Sequence, residues 1–142
     1  MRVPGDDAAL IGEVLDAGAD GVLIPQVSTA EQARAAVGAC RYSPDGARSW
    51  GPLRPKLTTA RPDPAVLGAA PCYVMIEDRA GVENVAAIAA VPGVTGILAG
   101  PADLALDLYG DPYLASDPRT VDALMPVVVA CRDNGITAGV FC

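Results

Sequence analysis

The sequence predicts an α/β domain built on a parallel sheet, and three observations carry that prediction. A unit of helix, glycine and strand recurs, four short apolar strands alternate with helix-like stretches, and those strands read as continuous hydrophobic runs rather than alternating ones. Strands of this kind are buried, and strands joined by helices run parallel with right-handed crossovers. A doubly wound sheet and a TIM barrel both satisfy the pattern, and the pattern alone does not separate them.

In chain order, Ala8 to Ala17 is helix-like and stops at Gly18, after which Gly21-Val22-Leu23-Ile24-Pro25 forms a short apolar strand. Ser28-Thr29-Ala30-Glu31 predicts a capping box, with the Ser28 hydroxyl and the Glu31 carboxylate satisfying free N–H groups of a helix that runs to about Cys40. Between Tyr42 and Pro64 the chain is rich in proline and carries several basic residues, which predicts a long loop over one end of the sheet, functional or merely a surface excursion. Cys72 to Glu77 is the second strand, Val82 to Ala90 a helix with Val82, Val85, Ile88 and Ala89 on one face, and Gly96 to Ala99 the third strand. A further helix from Pro118 to Asp133 stops at Asn134-Gly135 before the strand Ile136 to Phe141.

Composition narrows the function. A chain of 142 residues with 51% hydrophobic content is expected to fold as one domain. The net charge of -7 argues against nucleic acid or an anionic membrane as partner and favours a small molecule. The uncharged run from Val85 to Ala102 is broken by Pro92, Gly93, Gly96 and Gly100, so it reads as helix, turn and strand rather than a membrane span. Cys40, Cys72, Cys131 and Cys142 are far apart and form no CxxC pair, which argues against a zinc site or disulfide framework; buried thiols are expected, with Cys142 near a truncated end. No apolar segment of signal-peptide type follows Met1-Arg2-Val3-Pro4, so a cytoplasmic location is expected.

The chemistry is expected where two strands end. Tyr73-Val74-Met75-Ile76-Glu77 places one carboxylate at the end of a strand, and Ile97-Leu98-Ala99-Gly100-Pro101-Ala102-Asp103 places a second just beyond the next. Two such acids suit a hard divalent cation, which accepts few protein oxygens and keeps positions open for water and substrate. Acids after strands also cap the helices that follow, and spacing alone leaves both readings open.

Three blocks, GADGVLIPQVSTAEQARAAVGACRYSPDGARSWGP, VMIEDRAGVENVAAIAAVPGV and ILAGPADLALDLYG, together resemble the HpcH/HpaI aldolase/citrate lyase family of class II pyruvate aldolases, over nearly the whole chain and in family order. The resemblance implies a (β/α)8 TIM barrel of the phosphoenolpyruvate/pyruvate type, here a partial barrel over residues 1–142 lacking the first strands and the last. It implies metal ligands at Glu77 and Asp103, a catalytic arginine at Arg2, and at Asp16 an aspartate linked to the catalytic base. Gly100, Pro101 and Ala102 would bind the substrate carboxylate, Pro25, Gln26 and Val27 would line the cavity, and Met75 would pack beside the metal. The implied activity is metal-dependent cleavage of 4-hydroxy-2-oxo acids to pyruvate and an aldehyde through a stabilised enolate, with Mg²⁺ or Mn²⁺, or Co²⁺, as cofactor and a homo-oligomer as the complete assembly.

The chain also departs from the family. The family's general base is a histidine and this chain contains none, so little or no aldolase activity is expected of the 142 residues alone. Asp78 and Arg79 stand where relatives carry a small polar residue. The related citrate lyase branch implies an alternative, a CoA-ester lyase whose phosphates would meet Arg48, Arg54, Lys56 and Arg61; a non-catalytic fragment is the other.

Overall fold

The computed structural model describes residues 1–141; the expectation for Cys142 lies outside them. Four strands, β1 (Val22–Ile24), β2 (Cys72–Ile76), β3 (Val94–Ala99) and β4 (Thr137–Val140), form one parallel sheet in sequential order. Each new strand is added on the same side of the last, as in a barrel wall, without the reversal of strand order that defines a doubly wound sheet. The coverage of the faces agrees with this. Val22, Ile24, Val74, Ile76 and Ile97 belong to the core that the helices close, whereas Leu23, Tyr73 and Leu98 on the other face are only half-buried. The described residues therefore form an arc of a (β/α)8 barrel, helices outside and the inner face open.

The helices are α1 (Ala8–Asp16), α2 (Ala30–Cys40), two single turns α3 (Pro55–Thr58) and α4 (Pro64–Leu67), then α5 (Arg79–Ala89), α6 (Pro101–Tyr109) and α7 (Pro118–Asn134). Ile11 and Leu15 on α1, Ala33 and Ala36 on α2, Val85 and Ile88 on α5 and Val127 and Cys131 on α7 face the sheet. Fully buried residues such as Ile11, Ile24, Ile76, Ile88 and Ile97 each contribute about 1.5–3 kcal/mol of apolar burial. None of the described helices is long and apolar enough to cross a membrane.

Local chemistry explains most boundaries, and one expectation needs correction. The capping box of α2 lies one residue later than Ser28 and Glu31: Thr29 accepts from the Gln32 N–H at 3.2 Å, and the Gln32 side chain accepts from the Thr29 N–H at 3.1 Å. Ser28 instead donates its hydroxyl to Asp78, 2.5 Å away. Helix α6 follows directly on Gly100; Pro101 is pre-set for the first helical position and lacks the N–H that would be orphaned there. Gly135, in the left-handed region at φ 65°, closes α7 as the Asn134-Gly135 pair predicts.

The proline-rich stretch leaves the C-terminal end of α2 and returns at Cys72, where β2 starts, so it covers the N-terminal ends of the strands. Its polar anchors are specific. Arg41 donates to the carbonyls of Gly68 and Ala70 at 2.6 and 2.8 Å, and Arg48 pairs with Asp16 at 2.6 Å.

Candidate functional site

At the opposite end of the sheet, Ile76 and Ala99 are register partners, which sets Glu77 and Gly100 side by side just past their strands. Their approach is close. A Cβ on Gly100 would lie 2.7 Å from Glu77 Cγ and 2.9 Å from Oε1, so only glycine leaves room for the carboxylate. Glu77 is 6% exposed, and its Oε2 accepts from the Gln26 N–H at 2.9 Å. Gln26 reaches that position with φ 55°, a left-handed conformation costing about 1–2 kcal/mol in a residue with a Cβ.

Burial pushes the Glu77 carboxyl above the ordinary glutamate range; the Gln26 N–H pulls it back, Asp103 raises it, Arg2 lowers it and Asp78 raises it. Asp103 and Arg2 thus lie within electrostatic reach of Glu77. Asp103 stands exposed in the first turn of α6. Arg2 lies on a short extended segment beside β1: the Val3 N–H donates to Leu23 O at 3.1 Å and the Leu23 N–H to Met1 O at 2.8 Å. Val3 is buried among the core residues, so its neighbour Arg2 faces the inner side with its partner Leu23.

A buried carboxylate beside a second negative charge is an arrangement that a cation relieves. Among the described residues no group of three or more His, Cys, Asp or Glu side chains could hold a metal ion; the acids at this end that the sequence singles out are the two carboxylates Glu77 and Asp103. That is few enough for Mg²⁺ or Mn²⁺, which keep several water or substrate oxygens. Gly100 supplies no side-chain cap to α6, and the leading amides of Ala102 and Asp103 precede the first intrahelical bond, from the Leu104 N–H to Gly100 O at 3.1 Å.

Pro25, Val27 and Met75 are buried around this end, with the Val27 N–H donating to Met75 O at 3.1 Å, while Gln26 is exposed at the rim. Asp78 caps α5, accepting from the Gly81 N–H at 2.6 Å as well as from Ser28, and the Arg79 N–H donates to Asp107 at 2.9 Å. The charge of Asp78 is therefore spent on helix entry. The sequence places Gln26 among the cavity-lining residues but gives no sign of its amide as the anchor of Glu77; a left-handed non-glycine residue leaves no trace in the sequence.

Asp16 is not brought to this site. It ends α1, which runs antiparallel to β1, so it lies at the start of the strands, where Arg48 holds it in an ion pair with both side chains largely buried. Within this chain it is a partner of the loop and not of Glu77 or Asp103. Arg48, Arg54, Lys56 and Arg61 lie on that same loop, away from the two carboxylates.

The family model for HpcH/HpaI aldolase/citrate lyase matches residues 1–141. The chain belongs to this family. It is 36% identical to a hydroxypyruvate/pyruvate aldolase of Rhizorhabdus wittichii, with all of this chain and 57% of the relative covered. It is 40% identical to a 4-hydroxy-2-oxovalerate aldolase of Novosphingobium aromaticivorans, over 96% of this chain and 54% of that protein. The solved HpcH/HpaI aldolase from Desulfitobacterium hafniense superposes with a TM-score of 0.86 at 31% identity, over 99% of this chain and 56% of that one. The chain thus spans a little over half the length of the relatives it matches.

Proposed function

We infer that this chain supplies the metal-binding and enolate-stabilising part of an aldolase that splits 4-hydroxy-2-oxo acids into pyruvate and an aldehyde. The observation that carries the reading is the buried Glu77 carboxylate, held against Gly100 and by the Gln26 amide, with Asp103 and Arg2 acting on it. Glu77 and Asp103 would hold a Mg²⁺ or Mn²⁺ ion, which when bound supplies Lewis-acid polarisation of the 2-oxo group. The leading amides of α6, at Ala102 and Asp103, suit the substrate carboxylate, since oriented N–H groups at a helix start bind anions. Arg2, on the inner face, would present a positive charge to the oxo oxygen as it becomes an enolate oxygen, which lowers the barrier to carbon–carbon cleavage. Removal of the 4-hydroxyl proton needs a base, and no histidine is present in these 142 residues. The names of the relatives support the 2-oxo acid substrate class.

The test is cooperative binding. Mn²⁺ followed by electron paramagnetic resonance should bind to the wild-type chain and lose most of its affinity in Glu77→Gln and Asp103→Asn. Oxalate, a planar mimic of the pyruvate enolate, should bind tightly only with Mn²⁺ present and should weaken in Arg2→Ala. Mn²⁺ binding that ignores both carboxylate variants would end this reading.

A further inference from the structure

We propose that the N-terminal face of the sheet carries a second ligand site, for a small organic anion of the aryl or alkyl phosphate or carboxylate class, between Arg48 and Arg54. Arg41, Arg48, Arg54, Lys56 and Arg61 make five of the chain's ten cationic side chains, and the 41–61 segment that bears them holds a single acid, Asp45. In an acidic chain this is a local reversal of sign. The loop and the ends of α1 and α4 line an open cleft of about 430 Å³, the size of a small-molecule site, whose charged lining is Arg48, Arg54 and Asp20.

The two arginines have donors to spare. Arg48 is 8% exposed; its Nη2 donates to Asp16 at 2.6 Å and its Nη1 to Leu67 O at 3.3 Å, but its buried Nε–H has no hydrogen-bond partner. That Nε–H is shielded from solvent, so Arg48 lends the cavity its charge and Arg54 the free donors. Arg54 is anchored at its backbone, and its side chain is exposed. Its N–H donates to Asp16 O at 3.1 Å, its stem lies against Gly18, and among the described residues its guanidinium has no ion-pair or hydrogen-bond partner. A Cβ on Gly18 would come within 2.5 Å of Arg54 Cδ. Asp16 neutralises part of the Arg48 charge and Asp20 opposes binding from the rim, so Arg54 carries most of the attraction. Val66, Leu67 and Pro71 give the same cavity an apolar wall, which suits a ligand with a hydrocarbon body behind its anionic head.

Trp50, the only tryptophan, stands edge-on to Tyr42 at 4.9 Å between ring centroids, and Tyr42 stacks under the Arg48 guanidinium at 4.6 Å, so an occupant should be reported by tryptophan emission. Phenyl phosphate, benzoate and inorganic phosphate are titrated against the full chain, with circular dichroism as a check on folding. The expected result is a saturable change with phenyl phosphate or benzoate, tighter than with inorganic phosphate. Which of the two organic anions binds better distinguishes a phosphate from a carboxylate head. Arg54→Gln should weaken binding about tenfold, the worth of one charge-assisted contact, and Arg54→Met, which keeps the packing on Gly18, should do the same. Lys56→Gln, Arg61→Gln and Glu77→Gln should stay within twofold of wild type; the last separates this site from the proposed aldolase chemistry. Three outcomes overturn the proposal: no saturable change with any probe, inorganic phosphate binding as tightly as phenyl phosphate, or equal losses in the Arg54, Lys56 and Arg61 variants, which would mean diffuse attraction to a basic loop.

Discussion

Replacing Gly100 by alanine tests how closely the two strand ends cooperate. The new methyl carbon would lie 2.7 Å from Glu77 Cγ and 3.2 Å from Cδ, and a shift of about 0.7 Å is needed to restore ordinary contact at Cγ. Cγ is near the root of a buried side chain whose far oxygen is held by the Gln26 N–H, so the relief cannot come from a freely turning tip. Overpacking of this kind costs about 1–3 kcal/mol. The carboxylate is the group displaced, so the same energy should appear as a roughly ten- to hundredfold loss of Mn²⁺ affinity. Paramagnetic resonance titration gives the affinity and thermal unfolding gives the stability. Gly12→Ala serves as the control: it lies inside α1, a Cβ there meets nothing within 4 Å, and it should stabilise by about 0.5–1 kcal/mol. A Gly100→Ala protein that binds Mn²⁺ within twofold of wild type and melts at the same temperature would refute the reasoning.

Other outcomes follow from the same geometry. Arg48→Met should destabilise by about 3 kcal/mol in chemical denaturation, because it leaves Asp16 unpaired and largely buried; the double variant with Asp16→Asn should lose less than the two single losses added together. Thr29→Ala removes the cap of α2 and should cost about 1 kcal/mol in the same assay. The raised Glu77 carboxyl also predicts a pH dependence. As pH rises the unfolded chain gives up this proton first, so in the window from the ordinary glutamate value up to the raised folded value the native state binds more protons. Metal-free stability should therefore fall across that window, and the fall should vanish in Glu77→Gln, as read from unfolding curves at a series of pH values.

Much of the fold was legible because it rests on pattern. The apolar runs at Val22–Ile24 and Cys72–Ile76, the stop at Asn134-Gly135 and the acids after β2 and β3 each have a local physical signature. The start of α6 has its own local signature too, since proline is favoured at a first helical position. The cap of α2 was misplaced by one residue, since Ser28 and Thr29 are equally good acceptors and only the contact with Asp78 decides between them. Asp16 shows a different limit. A resemblance carries a residue to a position, but which end of the sheet that position occupies follows from the direction of α1, and the partner waiting there, Arg48, is 32 residues away in the chain.

Gln26 divides two tasks that most sites load on one side chain. Its amide secures the Glu77 carboxylate, while its side chain stands exposed at the rim. Residues that tolerate the left-handed region, such as asparagine, aspartate or glycine, could replace it and reshape the mouth of the site without loosening the carboxylate. This position is therefore a variable surface on a fixed support, where the rim can be reshaped while the carboxylate at the strand end stays in place.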